Sequence, residues 1–436
     1  MSRLLRFKLR KTASDIDHVL ADTVASACGN SPAYRQICDE AGVDPGKVRG
    51  IHELALLPVV SKETLFRHFS PREFLHRGAA MERCVVAHTS GMTGLPLSIF
   101  MSRAEATYRR FLVLRAWWQT GRIRLPLTVA AIMMAAEGRS SETFRRGGLV
   151  KVVRISMETD VEEKARLVRA CRPQILTGNP TSLELLAEVL GTRPSPVPSL
   201  RLVATRGEVL HTAVREELER AFACPVVDFY STEEFGIVAA QCPEDPEVYH
   251  VNTDACVLEI VDDEGNPVAP ETEGRVVVTN LFNRTMPFIR YDLEDRGALL
   301  RSGRPVCACG SGSPRMAVLS GRDDDFILLP DGKRISPRAF GTAIYLAVSS
   351  ETSASGARSI RGFQAVQDAL DHVTVRIVPE QAQNVDFQAL IDRALRGFHP
   401  ALRFTVELVE RVEIEPSGKL RKVISRIGRD AHPAEE

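Results

Sequence analysis

The chain has 436 residues, of which 44% are hydrophobic and 26% are charged, so two or three folded domains are expected rather than a disordered chain. The 56 basic and 56 acidic side chains give a formal net charge of zero, which excludes a globally basic surface for nucleic acid or anionic membrane. Nine cysteines are too few for a disulfide framework of this length, and their odd number fits a reducing compartment.

The N-terminus is basic but lacks the apolar run of a secretory signal. The longest apolar stretch, residues 127–136, is far shorter than the ~20 residues that span a bilayer. We therefore predict a cytoplasmic protein with neither a nucleic-acid nor a membrane partner, and leave a homodimer open.

From residue 81 onward, short apolar runs alternate with segments of helical period, which predicts an α/β layer architecture with a largely parallel sheet. Ser102 and Glu105 have capping-box spacing at the start of a helix, and Gly191 is placed to end another. The predicted strands are 84–87, 129–134, 174–177, 200–205 and 226–230, and the predicted helices begin at 102 and 160 or cover 181–190 and 214–222.

Beyond residue 236 the pattern changes to β-hairpins, with strands at 258–261 and 274–279. A smaller α+β unit follows, with a hairpin around 330–332, a helix from 337, strands at 362–366, 373–378 and 404–409, and a helix over 387–398. The chain is predicted to divide into an N-terminal domain, residues 1–322 with a β-rich part at about 237–322, and a C-terminal domain, residues 323–436.

Four motifs are candidates for chemistry. Residues 88–96 form a loop of glycines and hydroxyl side chains that suits phosphate binding, although it lacks the lysine of a Walker loop. Residues 230–236 end a predicted strand with carboxylates that suit Mg²⁺ on nucleotide phosphates.

Residues 290–295 and 320–325 offer aspartates for ribose hydroxyls and arginines for the nucleotide. Residues 416–422 place a lysine after a Ser-Gly turn. Each motif by itself is equally well explained as a surface turn.

In this order the motifs resemble those of the acyl-adenylate-forming superfamily. The segments 31–35, 40–45, 57–63 and 284–291 are similar to its phenylacetate–CoA ligase branch, so the resemblance covers nearly the whole chain. It implies a large N-terminal domain, built of sheets with flanking helices, that binds ATP and a carboxylic acid. It also implies a small mobile C-terminal domain.

The resemblance further implies roles for single residues. Asp324 would be the hinge and Lys419 the catalytic cation, with Lys422 as a decoy, and Glu234 is favoured over Glu233 as the magnesium-associated residue. The residues implied for nucleotide binding are Thr89, Ser90, Gly91, Thr93, Gly94, Gly207, Glu208, Tyr230, Asp295 and Arg322.

Cysteine and histidine spacing predicts a structural zinc site. Cys242 and His250 precede Cys307 and Cys309, and three thiolates with one imidazole satisfy tetrahedral zinc. The alternative is a set of unrelated reduced cysteines and a surface histidine, and Cys256 is the reserve ligand. The remaining cysteines are expected to be small buried apolar residues: Cys28, Cys38, Cys84, Cys171 and Cys224.

We therefore predict a ligase that forms acyl-AMP from MgATP and a carboxylic acid, and then passes the acyl group to coenzyme A. The branch suggests an aromatic acid, with Trp117, Trp118 and residues 133–136 near its pocket. One alternative is transfer to a carrier protein or an amine. A remote alternative is a degenerate, zinc-stabilised nucleotide-binding protein, because Met92 and Ser231 depart from the hydroxyl and glycine usual in the family.

Overall fold

The structure is a computed structural model of the chain. It describes residues 13–88, 97–133, 140–146, 148–191, 197–301, 307–317, 319–322, 325–349, 360–379, 385–413 and 420–427. Contacts divide the chain into two units, which we call unit 1 (Met1–Leu125 with Val227–Val318) and unit 2 (Pro126–Val226 with Leu319–Glu436). The predicted domain boundary at 322/323 stays a prediction.

The α-helices are α1 (Ala13–Asn30), α2 (Pro32–Glu40), α3 (Lys62–His68), α4 (Pro71–Phe74), α5 (Arg103–Gln119), α6 (Val161–Cys171), α7 (Pro180–Leu190), α8 (Thr212–Phe222), α9 (Pro337–Ser349) and α10 (Phe387–Leu395). The strands are β1 (Val85–His88), β2 (Ser98–Met101), β3 (Leu127–Met133), β4 (Ser141–Arg146), β5 (Val150–Ser156), β6 (Ile175–Gly178), β7 (Leu202–Arg206), β8 (Val226–Thr232), β9 (Gly236–Gln241), β10 (Val248–Val251), β11 (Cys256–Val261), β12 (Gly274–Asn280), β13 (Tyr291–Gly297), β14 (Arg315–Ala317), β15 (Gly321–Arg322), β16 (Ile327–Leu328), β17 (Arg334–Ile335), β18 (Ile360–Ala369), β19 (His372–Pro379), β20 (Arg403–Leu408) and β21 (Val423–Ser425). Three 3₁₀ turns are Pro45–Lys47, Ile51–Leu56 and Met81–Arg83.

Unit 1 begins with helices that the sequence analysis left unassigned. The buried face of α1 carries Leu20, Val24 and Ala27, whose spacings of four and three are the helical signal that was available before residue 81. Cys28 on α1 and Cys38 on α2 are buried as expected but pair as a disulfide, so the prediction that they are isolated was wrong. The short turn between the two helices brings these positions to a Cα separation of 6.6 Å.

The other cysteines predicted to be buried behave differently. Cys84, Cys171 and Cys224 are only partly buried. The prediction of burial was therefore wrong for these three, because each lies at or beside the end of a helix or strand rather than on its inward face.

The strands of unit 1 are antiparallel. β9 pairs with β8 and β10, β10 also pairs with β14, and β11, β12 and β13 form a separate meander. The predicted hairpin strands 258–261 and 274–279 correspond to β11 and β12. The predicted helix after Ser102 is α5, whose capping box is formed: Ser102 Oγ accepts from the Glu105 N–H, and Glu105 accepts from the Ser102 N–H at 2.6 Å.

Unit 2 contains the predicted parallel sheet. β3, β5, β6 and β7 are parallel in the order β7-β6-β3-β5, and β4 joins β5 antiparallel at the edge. Helices α6, α7 and α8 follow β5, β6 and β7 in turn, as in repeated β-α units. Asp160 caps the start of α6, and Gly191, at a φ of 75°, ends α7 where the sequence places it.

The C-terminal part of unit 2 has the predicted α+β elements. Its four strands are ordered β20-β19-β18-β21, and α9 and α10 precede and follow the hairpin of β18 and β19. The large buried residues Phe340 and Phe363 belong to one hydrophobic cluster with residues of the parallel-sheet part, such as Leu176 and Leu183. No helix in the described ranges is long and apolar enough to cross a membrane.

Candidate functional site

In unit 1 the chain brings together two residues predicted to bind nucleotide. Tyr230 lies near the end of β8 and is buried, and its hydroxyl donates to Asp295 Oδ2 on β13 at 2.7 Å. The two residues are 65 positions apart. The chain folds sharply after β8, where Gly236 has a φ of 72° and an added Cβ would lie 3.1 Å from Arg109 Nε. A glycine is therefore needed at the end of this motif for both its backbone conformation and its packing.

The two adjacent glutamates of this motif have different surroundings. Glu233 is partly exposed and forms an ion pair with Arg109 on α5 at 3.0 Å. Glu234 is buried, and burial raises the pKa of its carboxyl group, although a hydrogen bond from Thr232 opposes the shift. A buried carboxylate gains most from a divalent cation beside it, so this difference favours Glu234 for a magnesium role.

In unit 2, Gly207 and Glu208 directly follow β7. Gly207 is exposed with a φ of 85°. The Glu208 carboxylate accepts hydrogen bonds from Asn179 and from the N–H (3.1 Å) and hydroxyl (2.7 Å) of Thr181, and a further one from the Leu420 N–H (3.1 Å). The residue keeps some exposed surface, but its carboxylate lies inside the protein, and this desolvation raises its pKa despite the four donors.

Arg322 ends the short strand β15 and is partly buried. Its neighbour Gly321 has a φ of 130°, and an added Cβ would overlap Pro337 at the start of α9. The start of the C-terminal segment is therefore held in a conformation that only glycine allows.

The remaining predicted residues lie outside the described ranges. They are Thr89, Ser90, Gly91, Met92, Thr93 and Gly94 of the phosphate loop, residues 134–136 proposed for the acid pocket, the hinge residue Asp324 and the catalytic candidate Lys419.

Lys422, which the sequence analysis sets aside as a decoy for the catalytic Lys419, is not a solvated lysine. Its side chain is 11% exposed, and its ammonium donates to the Tyr345 hydroxyl and to Glu184 Oε2 at 3.2 Å. It also lies 4.7 Å from the centre of the Tyr345 ring. Desolvation alone would lower the pKa of Lys422, but Glu184 and Tyr345 outweigh it and raise the pKa, so the side chain stays charged.

The four predicted metal ligands of unit 1 lie together. The Sγ atoms of Cys242 and Cys307 are 3.5 Å apart, and Cys309 Sγ is 3.1 Å from His250 Nε2. All four ligand atoms lie within 4.8 Å of one another. Tetrahedral zinc holds sulfur atoms about 3.8 Å apart, so these separations fit the ion.

The turn Cys307–Gly310 closes on itself through the Gly310 N–H and the Cys307 carbonyl at 2.7 Å, which brings both of its thiols to one side. Cys256, the reserve ligand, is buried outside this cluster and contacts main-chain carbonyls instead.

A cavity of about 220 Å³ in unit 1 lies between α5 and the strands β8 to β10. Its lining includes Arg115, Gln119, Phe229, Ile237 and Asn252. The tryptophans proposed for the acid pocket do not line it: Trp117 is buried and Trp118 is 38% exposed.

The sequence analysis missed residues that hold the predicted ones in place. Arg109 contacts Glu233, Glu184 contacts Lys422, and Thr181 contacts Glu208. The partners are 124, 238 and 27 positions apart, and no motif links them. The only available signal was that an amphipathic helix has a buried face as well as a solvated one, and a charged residue can lie on either.

Comparisons with known proteins identify the family of the chain. A profile of the AMP-binding enzyme family matches residues 10–282. Phenylacetate–coenzyme A ligase of Thermus thermophilus is 27% identical over 314 residues, which are 68% of this chain and 67% of that protein. The enzyme of the same name from Escherichia coli K12 is 26% identical over 318 residues, 70% of each chain.

Solved structures confirm the predicted adenylate-forming fold. 2-Hydroxyisobutyryl-CoA ligase in the postadenylation state with 2-HIB-AMP has a TM-score of 0.75 and 20% identity, covering 95% of this chain and 89% of that one. Anthranilate CoA ligase with anthranoyl-AMP has a TM-score of 0.53 and 16% identity, covering 79% and 67%. Because the family profile matches more than half of the chain and the curated relatives share one name, this chain belongs to the AMP-binding enzyme family, in its phenylacetate–coenzyme A ligase-like branch.

Proposed function

We propose that this protein is an AMP-forming carboxylate–CoA ligase. A carboxylate oxygen attacks the α-phosphorus of ATP, pyrophosphate leaves, and the thiol of coenzyme A then attacks the acyl carbon and releases AMP. The observation that carries the proposal is the hydrogen bond between Tyr230 and Asp295, because it joins two motifs that the family resemblance assigns to the nucleotide.

The family resemblance assigns the nucleotide contacts residue by residue. In unit 1, Asp295 would accept from the ribose hydroxyls, and Glu234 would hold Mg²⁺, which would neutralise charge on the phosphates. In unit 2, Gly207 and Glu208 would line the adenine, and Arg322 would assist. The loop 89–94 would complete the phosphate contacts.

Lys419 is the proposed catalytic cation. Attack of a carboxylate on the α-phosphate brings two anions together, and the five-coordinate phosphorus that follows gains negative charge. An ammonium group beside both oxygens stabilises that charge where it develops. Lysine suits the role because it is a compact charge on a flexible stem, and Asp324 is the proposed hinge that turns its domain between the two steps.

The acid is proposed to be aromatic. The support is that the curated relatives are phenylacetate–coenzyme A ligases at 26–27% identity. A carrier-protein thiol or an amine is the alternative acceptor. Mass spectrometry of products formed with coenzyme A, a carrier protein or amines distinguishes the three.

Pyrophosphate release over a panel of aryl acids tests the activity. We expect release with at least one acid, and we expect Lys419→Ala to slow acyl-AMP formation about 10²–10³-fold, the cost of losing one preorganised charge-stabilising group. The variant should still convert synthetic acyl-AMP and coenzyme A to thioester. If the wild-type protein binds nucleotide but turns over no carboxylate, the protein is the degenerate binding protein instead.

We also propose that Cys242, His250, Cys307 and Cys309 hold a structural zinc ion. Their ligand atoms fit a tetrahedral ion, and four protein ligands leave no open position for catalysis. Zinc would join β10 to the turn at 307–310, and its binding energy would add to folding stability.

Metal analysis of the purified protein should find one zinc per chain. Cys307→Ser should lose the metal and lower the melting temperature, whereas Cys256→Ser, outside the cluster, should keep the zinc. A wild-type protein without bound metal, purified without chelator, would rule the site out.

A further inference from the structure

The segment Leu420–Lys422 directly follows the motif lysine and leads into β21. Leu420 makes its contact through its main-chain N–H, whereas Arg421 and Lys422 make theirs through their side chains. Leu420 and Lys422 contact the parallel-sheet part of unit 2 at Glu208 and Glu184, whereas Arg421 pairs with Asp325 of the C-terminal part. The segment is therefore attached to both parts of the unit.

Both attachment points belong to helix α7 or contact it. Asn179 at the N-cap position of α7 donates its side-chain amide to Glu208, and Thr181 in the first turn donates both its N–H and its hydroxyl to Glu208. Glu184 lies three positions further on, so it shares a helix face with Thr181. α7 thus fixes two carboxylates in front of the segment, and the N-terminal end of a helix favours negative charge.

The Lys422 contact is largely buried. The side chains of Lys422 and Glu184 are 11% and 12% exposed, and the Tyr345 hydroxyl from α9 completes the group. The His211 ring packs against Tyr345, with ring centres 5.0 Å apart. Breaking such a pair leaves a buried charge without compensation, so the segment cannot leave α7 at low cost.

We propose that Lys422, through Glu184, is a positioning residue that holds the segment after Lys419 in place for acyl-AMP formation. The inference rests on the proposed function. The observations that support it concern Leu420–Lys422 alone. The Leu420 N–H bond to Glu208 and the Lys422 pair fix the segment at two points, which sets its direction as well as its place.

The test separates the two half-reactions. In Lys422→Met we expect acyl-AMP formation to fall about 10–100-fold, because small misplacements of a reacting group have effects of that size. Thioester formation from synthetic acyl-AMP should stay within about threefold, since that step is proposed to use another domain arrangement. Lys422→Arg keeps the charge and should recover part of the loss. Arg421→Met, on the same segment but facing Asp325, is the matched control and should not separate the two rates.

A second variant guards against simple unfolding. Lys422→Met with Glu184→Leu removes both charges and should fold, but it should still slow acyl-AMP formation selectively. Equal loss of both half-reactions, or loss of neither, contradicts a positioning role.

Hydrogen exchange tests the contact without any activity. The peptide containing Leu420 should exchange faster in Lys422→Met than in the wild type, and unchanged exchange would overturn the inference. If the wild-type protein forms no acyl-AMP but Lys422→Met still speeds exchange of this peptide, the result contradicts the proposed function and not the contact.

Discussion

Arg290 in unit 1 and Lys422 in unit 2 are cations withdrawn from solvent, and the two are held differently. In unit 1, Arg290 is 1% exposed and donates to Glu259 and to the main-chain carbonyls of Leu57 (2.6 Å) and Gly265 (2.7 Å). In unit 2, the Lys422 ammonium donates to the carboxylate of Glu184 and to the phenol hydroxyl of Tyr345. Arg290 therefore joins three chain segments with its planar group, and Lys422 joins its segment to α7 and α9.

The difference teaches how a buried charge can serve two purposes. The guanidinium has five donors in a fixed plane, so it is suited to a permanent junction between fixed carbonyls. An ammonium is a point charge with rotatable donors, which suits a pair with one carboxylate and one hydroxyl. Arg290 lies in a motif that suggested nucleotide contact, but its donors are committed to protein groups, so its role is structural.

The largest expected effect is on Arg290. Arg290→Met leaves Glu259 and two carbonyls buried without their donor, and we expect a loss of about 3–5 kcal/mol in the free energy of unfolding. Urea unfolding followed by circular dichroism measures it. Arg301→Met is the control, because Arg301 pairs with Glu271 at the surface and should change stability by less than about 1 kcal/mol. If the two substitutions lowered the free energy of unfolding equally, Arg290 would have no special structural role.

The second prediction concerns the Lys422–Glu184 pair. A double-mutant cycle of Lys422→Met and Glu184→Leu should give a coupling energy of about 1–3 kcal/mol, because each single change leaves the other charge buried. Thermal or urea unfolding of the four proteins supplies the values. A coupling energy near zero would mean that solvent screens the two charges. The Lys422–Glu184 pair would then contribute less to stability, relative to the contacts of Arg290, than the structure indicates.

The third prediction concerns the pH dependence of stability near Lys422. Burial, with the charges of Lys422 and Arg338, lowers the pKa of His211 to about 3, so His211 is neutral in the folded protein. The unfolded histidine takes up a proton below its ordinary pKa of 6.5, so stability is lost as the pH falls from about 6.5 towards 3.

Between pH 7 and 5 this one group should cost about 2 kcal/mol. His211→Phe, which keeps an aromatic ring against Tyr345, should lose that much less stability over the same interval. Unfolding free energies at the two pH values check it, and parallel curves for the two proteins would show that His211 is accessible to protons in the folded state.

Much of the fold followed from local sequence. The capping box at Ser102, the cap at Asp160 and the glycine at 191 are local signals, and the structure has helix ends at all three. Helices before residue 81 carried a similar signal in α1 but were not assigned. The disulfide between Cys28 and Cys38 was not predicted, because pairing depends on how two helices pack and not on the spacing of the cysteines.

The sequence by itself determined the family, the order of the motifs and the types of most elements from residue 81 onward, because residue identity and periodicity are local properties. Tertiary structure alone decided which of Glu233 and Glu234 is buried, that four zinc-ligand candidates meet, and that Lys422 is paired rather than solvated. The reason is distance along the chain: Cys242 and Cys307 are 65 positions apart, and Lys422 and Glu184 are 238 apart. Which distant side chains become neighbours is set by the packing of helices and sheets, which local patterns do not encode.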